Sequence, residues 1–241
     1  MRQALPEVLT WQLSSEPAGY GNWLRMSGAF DSLSYNDEDR HRGALYRGEA
    51  ARAQHRQAVG SLEEYLVSLD MELRFEPVGP STLARAADLT QRTNQFNMST
   101  RRMTVDEVRE WTAAPGRAAY VFTLTDRFGP QGIVAFAALD GSSGSEVRIS
   151  DFLVSCRVLK RGVEHAILGL LIAQARERGG RMIVGEVRAT PRNAAFVTFY
   201  RDAGFAPIND TQEFGWPLDR AYEAPAHIRV GRSASPQPSN T

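Results

Sequence analysis

The chain reads as a mixed α+β domain preceded by a helical arm, and three features carry that reading. From Met71 onward, apolar runs of strand length alternate with amphipathic runs of helix length. Three strand-like runs, 119–125, 132–139 and 147–154, follow one another across short turns at 126–131 and 140–145, which is hairpin spacing. A helix-patterned stretch over 162–178 then carries Val163, Ala166, Ile167, Leu170, Leu171 and Ala175 at 3–4 spacing. Gly179-Gly180 stops it before another strand.

Taken in order, residues 1–35 are mixed, with a short helix expected over 21–26. Asn36 or Asp37 caps a charged helix through about Val59, acids first and bases later, as the helix dipole prefers. Gly60 ends it, and Ser61-Leu-Glu-Glu64 is a capping box that opens a second helix to about Leu69. Few apolar anchors mark this stretch, so it is expected to be an arm packed on the main domain or a partner surface. A strand over 72–77 and a helix over 82–92 follow. Thr104, with Glu107 at N3, caps a helix over 104–112. After the three hairpin strands and the long helix come a strand at 182–187, a helix at 193–203 and a last strand near 213–216. From Pro225 the chain turns to Ser, Pro, Gly and Asn and is expected to be disordered. The expected division is thus 1–70 arm, 71–224 main domain and 225–241 tail.

At 241 residues the chain can bury one good core plus an appendage, or at most two small domains. A hydrophobic content of 42% and 23% charge are ordinary for a globular protein. Lys plus Arg equals Asp plus Glu at 28 each, so bulk electrostatics do not hold the chain on nucleic acid, although a local basic patch is not excluded. A single cysteine suits a reducing cytoplasm. The N-terminus shows no signal-peptide pattern, and no apolar run approaches the ~18 residues of a membrane helix. A cytoplasmic protein with no membrane partner is expected. His41, His55, His165 and His227 lack metal-ligand spacing, and no metal is expected.

Chemistry concentrates in two motifs. The first is Val154-Ser155-Cys156-Arg157-Val-Leu-Lys160-Arg161-Gly162, where a strand ends in a basic turn at a helix start. Unpaired backbone N–H groups and a partial positive charge make such a turn a ready anion site. The bland alternative is a basic turn that only caps its helix. The second motif is Asn193-Ala-Ala-Phe-Val-Thr-Phe-Tyr200-Arg-Asp-Ala-Gly204-Phe205, for which the alternative is a plain amphipathic helix with a buried aromatic.

Together the two motifs and the element order resemble the GNAT superfamily of acyltransferases. That resemblance implies a central, mostly antiparallel twisted sheet flanked by helices. It implies that a Gln/Arg-x-x-Gly-x-Gly/Ala turn binds the pyrophosphate of coenzyme A, here through Val154, Ser155, Arg157, Lys160, Arg161 and Gly162. Arg157 and Gly162 fit the pattern, while Lys160 replaces its first Gly and either crowds a phosphate or adds a contact to it. The resemblance further implies that Asn193 contacts the pantetheine arm and that Tyr200 acts as general acid on the leaving thiolate, a role that needs a donor within ~3 Å of sulfur. No cofactor is expected to be tightly bound, with coenzyme A or a phosphopantetheine thioester as donor.

A narrower resemblance rests on Thr93-Asn94-Gln95-Phe96-Asn97-Met98-Ser99-Thr100-Arg101-Arg102, Asp126-Arg127-Phe128-Gly129, Phe152-Leu-Val-Ser-Cys156-Arg-Val and the arm segment Tyr46-Arg47-Gly48-Glu49-Ala50. These are similar to the acyltransferase half of FkbH-like proteins, which load a glyceryl unit onto an acyl carrier protein for polyketide assembly. No Asp-x-Asp-x-Thr phosphatase motif stands at the start, so glyceryl loading is expected only if a partner supplies that half. The resemblance makes Cys156 an acyl-carrying nucleophile. Neighbouring Arg157, Lys160 and Arg161 would favour its thiolate, while the alternative is a small buried residue at a strand end.

The polar stretch 93–102 lies where GNAT enzymes recognise the acceptor. Asn94, Gln95, Asn97 and Arg101 are candidates to grip it. Asp151 is one candidate for the general base, with strand alternation as the argument against it. The functional expectation is acyl transfer in a natural-product pathway to an amine, hydroxyl or carrier thiol. Partners would be a small-molecule acceptor and an acyl carrier protein, with tRNA disfavoured by the neutral charge. A non-catalytic scaffold for a separate phosphatase is the rival reading.

Overall fold

The computed structural model describes residues 16–28, 37–141, 144–208 and 211–233. The chain divides into two compact units, 1–46 and 47–241. In the first, a 3-10 turn at Pro17–Gly19 leads into helix α1 (Tyr20–Met26), none of whose residues is buried. The capping role expected of Asn36 falls outside the described residues. Helix α2 (Asp37–Ala58) starts in the first unit and ends in the second.

Within the larger unit the charged end of α2 is held by charge. Arg52 is buried and donates from Nε and Nη2 to the two oxygens of Asp126, at 2.6 and 2.8 Å. Gln131 Nε2 and the Phe128 N–H donate to the same carboxylate. Helix α3 (Leu62–Ser68) opens with the Ser61 hydroxyl accepting from Glu64 N–H, and brings Tyr65 and Leu69 into the core. Residues 47–70, expected as part of an arm, therefore pack in the same unit as the sheet.

The elements then run β1 (Met71–Pro77), α4 (Leu83–Arg92), β2 (Phe96–Asn97), α5 (Val105–Ala113), β3 (Arg117–Asp126), β4 (Gly129–Asp140) and β5 (Glu146–Val154). After these come α6 (Val163–Glu177), β6 (Met182–Glu186), α7 (Phe199–Asp202), β7 (Ala206–Pro207), β8 (Glu213–Pro217) and β9 (Ile228–Arg232). The Thr104/Glu107 capping box at α5 is present in both directions. Among the described residues one sheet forms in the order β7-β8-β6-β5-β4-β3-β1-β9, with β2 attached to β5. Antiparallel pairing predominates, and only β5/β6 and β1/β9 are parallel. The mixed α+β architecture expected from the sequence is the one observed.

Strand alternation divides the core between the two faces. Tyr120, Phe122 and Leu124 of β3 pack with α3 and α6 on one face. Ala119 and Val121 join Phe136, Ala138 and Leu153 beneath α4 and α5 on the other.

Two expectations are corrected. The helix expected over 193–203 is a 3-10 turn, Ala194–Phe196, and then the four-residue α7. Its β-branched and aromatic residues are weak helix formers, and Phe196 and Phe199 are drawn onto Phe96 instead. The tail expected to be disordered from Pro225 contains β9, which pairs in parallel with β1 from Met71↔Ile228 to Phe75↔Arg232. Ile228 is buried there, and Arg229 and Arg232 pair with Asp70 and Glu177. The period-2 signal of Ile228 and Val230 is too short to stand out from its polar surroundings.

Candidate functional site

Strands β5 and β6 pair in parallel only from Glu146↔Met182 to Ile149↔Gly185 and then part. At the parting a cavity of ≈ 280 Å³ opens on the α4/α5 face, lined by Ser99 and Arg101, by Asp140, by Arg148 and Ser150 of β5, and by Val184, Glu186 and Arg188. A β-bulge sets its floor. Ala138 pairs with Asp151 but Leu139 pairs with Ile149, so Ser150 is an extra residue. One extra residue flips every side chain beyond it to the other face. Asp151 thereby leaves the face of Val147 and Ile149 and meets Arg101.

Arg101 donates from Nε to Asp151 Oδ1 at 3.1 Å and from Nη2 to Oδ2, and Ser99 Oγ donates to Oδ1 at 2.7 Å. Burial pushes the Asp151 carboxyl above its ordinary value, against the pull of those donors. Every oxygen of this carboxylate is engaged, so the residue expected as a base is the anchor of Arg101, whose guanidinium lies 5.4 Å from the Trp111 ring. Arg148 is held by Glu146 and Glu213. Arg188 and Glu186 form the loosest pair, 3.4 Å apart and largely exposed at the mouth.

Beyond the parting, the edge of β5 that faces β6 carries β2. Phe96 pairs with Val154 and Asn97 with Leu153, and Met98 N–H donates to the Phe152 carbonyl at 3.1 Å. Buried Asn97 is spent on its own loop, its Nδ2 donating to Thr93 O and its Oδ1 accepting from Thr100 N–H at 2.8 Å. Asn193 is equally engaged. Its Nδ2 donates to the carbonyls of Asn97 and Arg188, and its Oδ1 accepts from Thr190 N–H and Oγ1. Asn193, expected at the pantetheine arm, thus spends its side-chain amide within the chain. Asn94 accepts from Arg102 and Arg192, and Gln95 is exposed.

Tyr200 is fully buried and packs against Phe199, Phe205 and Phe214. A Cβ at Gly185 would stand 2.3 Å from its ring carbon Cζ, so only glycine admits the phenol here. Because Val184 and Glu186 face the cavity, Gly185 and Tyr200 lie on the opposite face of the seam. Burial pushes the phenol far above its usual pKa, and its hydroxyl has no hydrogen-bond partner among the described residues.

The turn after β5 is folded in on itself. Cys156 is exposed and opens a 3-10 turn, Cys156–Val158. Lys160 and Gly162 take left-handed φ of 63° and 85°. Lys160 N–H donates to Glu164 Oε1 at 3.3 Å. Arg161, expected at a phosphate, turns its guanidinium toward Glu49 and Asp126, 3.5 and 4.0 Å away. Arg157 reaches the Gln131 carbonyl at 3.5 Å. Cys156 follows the end of β5 and is not among the residues that line the cavity.

Of the candidates, then, the structure brings Arg101 and Asp151 together at the cavity, gathers Val154, Asn97 and Asn193 around β2, and leaves Tyr200 behind the seam and Cys156 at the far turn. Ser99, Arg148, Glu186 and Arg188 escaped the sequence reading. The alternation Glu146, Arg148, Ser150 between Val147 and Ile149 was the signal that could have placed Arg148. As folded, the residues do not fit coenzyme A, because the strand edge, the Asn193 amide and the turn are engaged within the chain. Among the described residues no group of three or more His, Cys, Asp or Glu is placed to hold a metal ion, and no helix is long and apolar enough to cross a membrane.

No family model matches the chain, and no curated protein does. Solved structures similar to it include the ribosomal-protein-S18-alanine N-acetyltransferase of Escherichia coli, at 21% identity and a TM-score of 0.46 over 63% of this chain and 97% of that one. The GNAT domain of S. lividans PAT is similar at 20% identity and 0.46, over 60% and 90%. Ard1 of Thermoplasma volcanium is similar at 19% and 0.44, over 59% and 94%.

Proposed function

We propose that the chain is a GNAT-type acyltransferase, akin to the acyltransferase half of FkbH-like proteins. It moves an acyl group from a thioester to an amine, hydroxyl or carrier thiol in a natural-product pathway. The observation that carries this reading is the parting of β5 from β6 at Ile149/Gly185 with a charged cavity at the opening. The parting opens a space at the sheet, and the cavity offers charged and polar groups to hold an acceptor there.

Direct attack suits this geometry better than a relay through Cys156, which is not among the residues that line the cavity. Arg101 is pre-set by Asp151 and Arg148 by its two glutamates, so both guanidiniums present fixed donors to a polar acceptor. Glu186, half-exposed and only loosely engaged with Arg188, takes the proton-accepting role that Asp151 cannot perform. The departing thiol takes up the proton that the attacking group loses.

Incubating the full chain with acyl thioesters, among them acyl carrier protein and N-acetylcysteamine esters, and with a panel of amines and alcohols tests this by mass spectrometry of the products. Transfer is expected, with Glu186→Gln slower by roughly 10²-fold or more and Cys156→Ala unchanged. No transfer from any donor overturns the reading and leaves the scaffold, which the internally engaged Asn193 and β5 edge already favour as second reading.

A further inference from the structure

We propose that the chain closes, with its own Phe96–Met98 and Glu164, the groove in which a coenzyme A donor would lie, and that these residues exclude free coenzyme A. The inference rests on the acyl-transfer reading for what the groove is for.

The pantetheine arm is an extended chain with two amides, and it is recognised as an added strand is, by backbone groups on an open edge. Beyond Ile149 the β5 edge that faces β6 would be that edge. Here β2 has taken it, through Phe96↔Val154, Asn97↔Leu153 and the bond from Met98 N–H to Phe152 O. The segment is pinned from the other side as well, since Asn193 Nδ2 donates to Asn97 O at 3.0 Å and Arg188 N–H to Met98 O at 2.9 Å. Phe96 is fully buried, its ring 5.0 Å from Phe152, 5.2 Å from Phe196 and 4.9 Å from Phe199. The cost of vacating a buried phenylalanine site would weaken a ligand that displaced it by roughly 10²–10⁴-fold. Such a segment is a fixture of the fold and not a lid.

The pyrophosphate end is filled independently. A phosphate needs the N–H groups of the turn and a positive surrounding. Glu164 places its carboxylate there, accepting from Lys160 N–H and from its own N–H, with Oε2 buried and without a hydrogen-bond partner among the described residues. The residues before β9 cover the same turn. A Cβ on Gly162 would meet Pro225 at 3.2 Å and His227 at 3.3 Å, and His227 Nε2 lies 2.9 Å from the Arg161 carbonyl. Burial pushes this carboxyl above its ordinary value, so a phosphate arriving here is opposed chiefly because the Lys160 N–H is already taken by a buried side chain.

Calorimetry of the full chain tests this with coenzyme A and with its nucleotide half, adenosine 3′,5′-bisphosphate. Wild type is expected to bind neither below about 1 mM, and Glu164→Ala to bind the nucleotide half at least about tenfold more tightly than wild type, by release of the turn N–H that the Glu164 carboxyl occupies. Because Phe96→Ala endangers folding, the other half is read in wild type by hydrogen exchange, where the Met98 amide should stay protected with coenzyme A present. Micromolar binding of coenzyme A to wild type overturns the proposal. So does a Glu164→Ala variant that gains nothing, or deprotection of Met98 by coenzyme A. Transfer assays separate the two readings. Turnover with N-acetylcysteamine or carrier-protein esters but not acyl-CoA supports both, acyl-CoA turnover refutes closure alone, and no turnover without coenzyme A binding refutes transfer while closure stands.

Discussion

Lys160 sits at a φ of 63°, in the left-handed region that costs an L side chain roughly 1–2 kcal/mol. The position is the one where the phosphate-binding pattern has glycine, so the backbone has kept a glycine's conformation under a lysine. Glycine's own entropy loss on folding is about 0.5–1 kcal/mol, which leaves a net strain of about 0.5–1 kcal/mol. Lys160→Gly should therefore stabilise the protein and raise Tm by roughly 1–4 °C. A thermal melt with no rise or a fall would show that the exposed lysine makes a compensating contact. The same reasoning gives Gly185 its place, since its missing Cβ is the space that Tyr200 fills.

At the scale of elements, the two-residue strand β2 shows how a short segment is fixed from outside. Asn193 helps to hold it, since one of the four hydrogen bonds of this buried amide reaches Asn97 of β2 and the other three fix the amide within the loop after β6. Asn193→Ala would strand the buried carbonyl of Asn97, at about 1–3 kcal/mol, and free the part-buried carbonyl of Arg188 at a smaller cost. A total loss of about 2–4 kcal/mol is expected in urea denaturation, together with faster hydrogen exchange at Met98. A loss under about 0.5 kcal/mol would mean that β2 is held by Phe96 alone. The bulge at Ser150 belongs to this scale too. It moves Asp151 across the sheet and so converts a candidate base into the partner of Arg101.

At the scale of the whole molecule, β9 closes one end of the sheet against β1. Ending the chain at His227 would expose Ile228's site and the β1 edge. Burying one such side chain is worth about 1.5–3 kcal/mol, to which five residues of ladder add. The truncated chain should lose at least about 3 kcal/mol in a denaturant titration and associate in light scattering, as open edges do. A stable, monodisperse truncation would show that β1 needs no cover. The buried Arg52–Asp126 pair performs a comparable service at α2, where few apolar anchors were legible.

What the sequence by itself determined is the set of elements whose information is local. The strands at 119–125, 132–139 and 147–154, the Ser61 and Thr104 caps and the long helix stopped by Gly179-Gly180 stand within a few residues of where periodicity and capping chemistry put them. Arg101, which lines the cavity, was singled out by the family resemblance and not by these local signals. Only the tertiary structure decided what depends on distant partners. Phe96 became a strand because β5 had an open edge to pair, and residues 193–203 gave up a helix because Phe196 and Phe199 pack on Phe96. Asn193, a polar residue in a promising motif, found its partner within the chain at Asn97, and Arg161 turned toward Glu49 and Asp126 with its Nη1 left without a hydrogen bond among the described residues. A buried polar group takes whichever partner the fold brings within 3 to 4 Å, and a reading by periodicity has no access to that distance.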